Sequence, residues 1–178
     1  IGGTGSAVVL DLIDASAMLW RLHLRGVALG DRFGVIADRW AAVGGAGQYA
    51  FNDLHAMLAY VGADRPQAQR AVLDAQHAAM QADVDNAAFT RDVGYPATLA
   101  IQAFGDGDFV RSTSLLRSVR SIAHRFGGSH AQRDLLDLTL IEAASRSGDQ
   151  PLAAALAAER LAVKPRSPLA QRLAARCR

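Results

Sequence analysis

Cysteine is almost missing from this chain: Cys177 is the only one in 178 residues. No disulfide framework can form within the chain, no cysteine-based zinc site is available, and a reducing compartment is the default expectation. Five prolines are too few for a Pro-rich linker, and aromatic residues, at 6%, are not interleaved with the basic ones as single-strand nucleic-acid binders require. No apolar run reaches the length of a membrane span, and no basic segment followed by an apolar one opens the chain as a leader. There is no initiator Met. Ile1-Gly2-Gly3-Thr4-Gly5-Ser6 reads as a loop inside something longer, and with no following Lys-Ser/Thr and no preceding strand it is not a phosphate loop. No stretch alternates as a strand would.

Acidic residues also stop early. None follows Glu159, yet Arg160, Lys164, Arg166, Arg172, Arg176 and Arg178 do, and Arg111, Arg117, Arg120 and Arg125 form a second basic set. The net charge is only +2. A phosphate or nucleic-acid patch is one reading of these sets. A solvated helix face with cations near helix C-termini is the reading the composition favours, so nucleic acid is not an expected partner.

What is present is alanine, 51% hydrophobic residues against 20% charged, and a period. The hydrophobic share suits one sizeable packed core rather than a disordered chain. Gly62, Gly105 and Gly148 are each 43 residues from the next, and each closes an apolar, alanine-rich segment before a short polar turn. Self-similarity at this period is the signature of a stacked helix-pair repeat. Apolar residues at helical spacing predict helices over 10–25, 31–43, 49–61, 66–82, 96–104, 109–126, 129–147, 149–164 and 169–176, with Pro66, Pro96 and Pro151 in first turns and Ser129 and Asp149 as N-caps. Residues 83–86 and 91–95 read as connector. The expected fold is all-α: a right-handed α-solenoid of about four antiparallel helix pairs plus a C-terminal capping helix. Trp20, Trp40, Tyr60 and Phe104 are expected between helices, and His23, His77 and His124 at surfaces or helix ends.

Gly148-Asp149-Gln150-Pro151-Leu152-Ala153, with Ala158 and Pro165, resembles the second half of a tetratricopeptide unit, and Gly107-Asp108-Phe109 with Ser112 fits the same turn. Three longer stretches, Leu10 to Gly26, Tyr49 to Gly62 and Phe126 to Ala143, taken in this order, resemble the C-terminal part of the tetratricopeptide-repeat-protein-38 family. The resemblance implies tetratricopeptide-like repeats over residues 1–178 as a single helical-repeat domain, the C-terminal fragment of a longer repeat protein. It implies no established reaction, cofactor or catalytic residue. The first helix pair would then pack on upstream helical repeats of the same protein, and without them the chain is expected to self-associate through bare apolar residues.

The polar signature inside those stretches supplies the candidates: Asp11 and Asp14; Asn52, Asp53 and His55; Gly128, Ser129, His130, Gln132, Arg133 and Asp134. All lie in the first helix of a pair. In a tetratricopeptide-like stack such positions line the concave face, where they suit a protein, peptide or small polar ligand. Arg133 is the expected anchor, steadied by Asp137, Asp14 or Asp53, because guanidinium is permanently charged and grips carboxylates with two bonds. Two other readings stand beside this one. The residues can form a structural network, with His130–Asp134 and Arg133–Asp137 paired one turn apart. Alternatively, the Asn52/Asp53/His55 and His130/Arg133/Asp134 clusters can serve an enzyme or metal-binding protein, although their spacing matches no established motif. The chain can also be a structural segment of a larger enzyme. The sequence itself shows no reaction, and a cytoplasmic location with no membrane, cofactor or metal is the expectation.

Overall fold

A computed structural model describes residues 5–82 and 85–177. Residues 1–4 of the expected opening loop, 83–84 of the expected connector and Arg178 lie outside the described residues, whereas Gly5 and Ser6, and Asp85 and Asn86, are helical and not loop or connector. Ten α-helices run in order: α1 (Gly5–His23), α2 (Arg32–Val43), α3 (Ala50–Gly62), α4 (Pro66–Ala79), α5 (Asp85–Phe89), α6 (Tyr95–Gly105), α7 (Phe109–Val119), α8 (His130–Arg146), α9 (Gln150–Val163) and α10 (Pro168–Arg176). The fold is all-helical, with no strand among the described residues.

Two expected boundaries are corrected. The connector at 91–95 is helical: α5 continues through a π-helical turn over Thr90–Gly94 directly into α6. Pro96 explains this, because it has no N–H and its ring crowds the carbonyl one turn back. A wider turn, with the Tyr95 N–H donating to the Thr90 carbonyl, absorbs the mismatch. The helix expected over 109–126 tightens after Val119 into a 3₁₀ segment, Arg120–Phe126.

One backbone feature does recur, in a register that differs from the glycine spacing. Four first helices end in the same reciprocal cap. The left-handed residues are Gly26, Asp64, Gly107 and Gly148. In each cap the next N–H reaches back five residues (Val27 to Leu22, Arg65 to Tyr60, Asp108 to Ala103, Asp149 to Ala144), and the left-handed residue's own N–H reaches back three. This is the Schellman arrangement, which satisfies the last carbonyls of a helix. Gly62 and Gly105 are not those caps. They sit inside the last turns of α3 and α6, where a Cβ would meet the Phe33 ring and Val61 respectively. The equal 43-residue intervals therefore join two packing glycines to one capping glycine.

Second helices begin just after each cap. Asp108 and Asp149 accept from Arg111 N (3.0 Å) and Leu152 N (3.1 Å), and Pro66, Pro151 and Pro168 occupy first turns. α1 packs on α2, α3 on α4, α6 on α7, α8 on α9 and α9 on α10. The first helices form an inner layer: α1 on α3, α3 on α6, α6 on α8, and also α1 on α8. That last contact closes the layer. The Trp20 indole N–H donates to Thr139 Oγ1 at 2.9 Å, and its ring meets Phe104 edge-on at 5.5 Å. The Trp40 indole donates to Ser16 Oγ at 2.9 Å. Both hydroxyls in turn donate to carbonyls four residues back, so each buried indole finds a polar partner without opening the core. Trp20, Trp40, Tyr60 and Phe104 are all buried, as expected of inter-helix residues.

Candidate functional site

The three signature stretches meet at the starts of α1, α3 and α8. Ser129 caps α8 through a complete capping box: its Oγ accepts from Gln132 N at 3.2 Å, and Gln132 Oε1 accepts from Ser129 N at 2.8 Å. Gly127 and Gly128, both left-handed, lead into that cap. A Cβ on Gly127 would strike the Tyr49 hydroxyl, and one on Gly128 would strike the Phe51 ring. Glycine at these two positions therefore lets the α8 start lie directly on the α3 start. Beside it, Leu10, Ile13, Tyr49, Asn52, Gly128 and Gln132 line an open depression of about 430 Å³. A second depression of about 320 Å³ adjoins it through Val9, Tyr49 and Asn52 and runs to the Gly44–Gln48 turn, with Asp53, Trp40 and Tyr60 in its wall.

Asp53 is 3% exposed. Both of its carboxylate oxygens accept from the single Gly47 N–H, at 3.0 and 3.2 Å, which fastens the glycine-rich turn to α3. Burial pushes its carboxyl up from 3.8 to about 6, against the pull of the Gly47 amide and the Gln76 side chain. His55 departs from the groove expectation. It is fully buried, packed on Phe51 with ring centres 4.5 Å apart, and its Nδ1 donates to the Phe51 carbonyl at 2.8 Å. Its Nε2 has no partner, and burial holds the imidazole at about 4, well below the usual 6.5. The physical reason is the closure of α1 on α8, which fills the space between first helices that an open stack would leave as a concave face.

Asp11 and Asp14 are exposed on α1, and Asn52 is half-buried at the groove. The remaining candidates belong to a different, charged cleft. Asp134 is gripped by both terminal nitrogens of Arg160, each at 2.8 Å, and by Lys164 Nζ at 2.6 Å. Asp137 takes Arg120 Nε at 2.7 Å, and the other end of that guanidinium holds Glu159 at 2.8 and 2.9 Å. The expected His130–Asp134 and Arg133–Asp137 pairs are thus displaced by cations from neighbouring segments, whose forked geometry outcompetes a one-turn contact within α8. Arg133 folds back instead. It donates to the Gly127 and Gly128 carbonyls and lies near His130 Nδ1, so none of Asp137, Asp14 or Asp53 steadies it.

Half of the residues in the two basic sets are held in ion pairs: Arg125 pairs with Asp92, Arg176 with Glu142, and Arg120, Arg160 and Lys164 as above. Sequence spacing could not assign these partners, because each pairing joins residues at least 17 positions apart. His55 and His130 do not meet, and no group of three or more His, Cys, Asp or Glu among the described residues could hold a metal ion. No helix among the described residues is long and apolar enough to cross a membrane. No family model and no solved structure matches the chain.

Proposed function

We propose that this chain is a tetratricopeptide-like α-solenoid segment, right-handed and akin to the tetratricopeptide-repeat-protein-38 family, that binds an extended peptide of a cytoplasmic partner protein. The observation that carries the reading is the convergence of the α1, α3 and α8 starts around one open depression. Apolar Leu10 and Ile13, the Tyr49 ring and the amides of Asn52 and Gln132 all line it. A side-chain amide offers both a donor and an acceptor, the pair that an extended peptide backbone requires. The Gln132 carbonyl is held by the helix cap while its NH₂ remains for a ligand. Closure of the inner layer behind the depression keeps these walls rigid, which lowers the ordering cost of binding.

Affinity selection from a random peptide library, using the whole chain as bait, tests the proposal. Enriched peptides whose binding drops at least tenfold in Asn52→Ala are the expected result. Enrichment indifferent to Asn52→Ala and Gln132→Ala together would refute the groove.

The exposed Met18 on α1 and Val35 on α2, at 59% and 49%, support a second contact, with upstream helical repeats covering this end of the stack.

A further inference from the structure

We propose that the depression at the α2–α3 turn is a specificity pocket for an alkylammonium group, such as the side chain of a lysine in the bound peptide. It deepens the peptide-groove reading and rests on it for the identity of the natural ligand. Asp53 is the only charged residue in the pocket wall among the described residues. It is almost entirely buried, yet no Lys, Arg or His among the described residues pairs with it. An ionised carboxylate has room for about four hydrogen bonds, and among the described residues the Gly47 N–H, shared by both oxygens, and the Gln76 side chain act on it. Buried charges in folded proteins are ordinarily paired. The other buried or half-buried carboxylates among the described residues follow that rule: Asp92, Asp134, Asp137 and Glu142 each hold at least one guanidinium. Asp53 departs from it, and it stands in the wall of a pocket of about 320 Å³.

The rest of the wall suits the remainder of a lysine. Trp40, Tyr49, Tyr60 and Val9 offer apolar and aromatic surface for a methylene stem, and Asn52 lies between this pocket and the groove where the peptide backbone would pass. An ammonium brings three donors on a compact head, matching the acceptor capacity left on Asp53. Among the described residues, the groups acting on Asp53 or sharing its pocket wall carry no competing charge: Gly47 N–H from the turn, Gln76 from α4, Val9 from α1, and Tyr49 and Tyr60 from the α3 segment. Burial is what raises this carboxyl to about 6. Ligand binding should therefore weaken as the carboxylate protonates, because only the ionised fraction is competent.

The probe is n-butylammonium, with n-butanol as a neutral match in shape, titrated into the whole chain while the Trp40 indole and Tyr49 ring signals are followed by NMR. At about pH 7.5, saturable shifts with butylammonium and none with butanol are expected. At about pH 5 the affinity should fall about tenfold, the fraction ionised having dropped by that factor. Asp53→Asn, which keeps an oxygen for Gly47 N–H, should abolish the response. Equal responses to butylammonium and butanol, or no saturable response in the parent, would overturn the proposal. If the variant does not fold, the pH series on the parent decides alone, and an affinity unchanged between the two pH values would overturn it. A peptide without lysine that still binds through Asn52, alongside a silent butylammonium titration, would remove the pocket and leave the groove.

Discussion

Asp53 and His55 lie two positions apart on α3 and titrate in opposite senses across the same range. This sets up a test by substitution. Asp53 carries a carboxyl raised by burial from 3.8 to about 6. The native state therefore holds a proton between those values that the unfolded chain has released. The stability linked to Asp53 is fully present below pH 3.8 and is lost as pH rises through 6, about 3 kcal/mol in all. His55 is lowered by burial from 6.5 to about 4, so the unfolded chain takes up a proton there that the native state refuses. Its contribution is fully present above pH 6.5 and is lost as pH falls through 4, again about 3 kcal/mol. In the parent the two nearly cancel.

Asp53→Asn should unmask His55. Relative to the parent, whose Asp53 gains stability as pH falls, this variant should lose about 2 kcal/mol between pH 6.5 and pH 4. His55→Leu should unmask Asp53 and, freed of the His55 penalty, gain a similar amount relative to the parent over the same interval. Urea melts of the three proteins across that range, compared as differences from the parent, cancel the contribution of every other titrating group. Curves for parent and Asp53→Asn that stay parallel across the interval would refute the reasoning.

Other substitutions test the packing. Asp134→Ala should cost about 3 kcal/mol in a urea melt, because it strands the Arg160 guanidinium, whose side chain is 8% exposed. His130→Asn should change the same melt by less than about 0.5 kcal/mol, since Asp134 is held by α9 and not by His130. Asp64→Gly should raise the thermal midpoint by an amount worth up to about 1 kcal/mol. It relieves a left-handed residue, φ 52°, at the one Schellman cap that is not glycine. A fall in the midpoint would mean that the Asp64 side chain contributes more to the turn than its backbone strain costs.

The parts of the fold legible in the sequence are those decided locally. Ser129 and Asp149 cap the helices they precede, Pro66, Pro151 and Pro168 sit in first turns, and the apolar faces of α1 through α4 follow the 3.6-residue spacing. Features that depend on distant partners were hidden. Pro96 sits in the first turn of α6 as expected, but the π-helical turn that joins α6 to α5 was not legible, since it also brings Gly94 against Ala50 on a distant helix. The pairing of Asp134 with Arg160 and Lys164 needs α9 laid beside α8, which no one-turn spacing reveals. Closure of α1 on α8 through Trp20 and Thr139 spans 119 residues, and it moves His55 from a supposed groove into the core. In the groove, the sequence pointed to Asn52 and Gln132 through their polar surroundings but missed Leu10, Ile13 and Tyr49. Their apolar and aromatic character reads as core until the helix starts are brought together.

The peptide groove is tested most directly by mapping where a selected peptide lands. With the backbone amides of the whole chain assigned, titration of such a peptide should shift Val9, Tyr49, Asn52 and Gln132 together, and leave Arg120 and Glu159 in the charged cleft unmoved. Shifts confined to the Arg120–Glu159 cleft, with the starts of α1, α3 and α8 silent, would contradict the account.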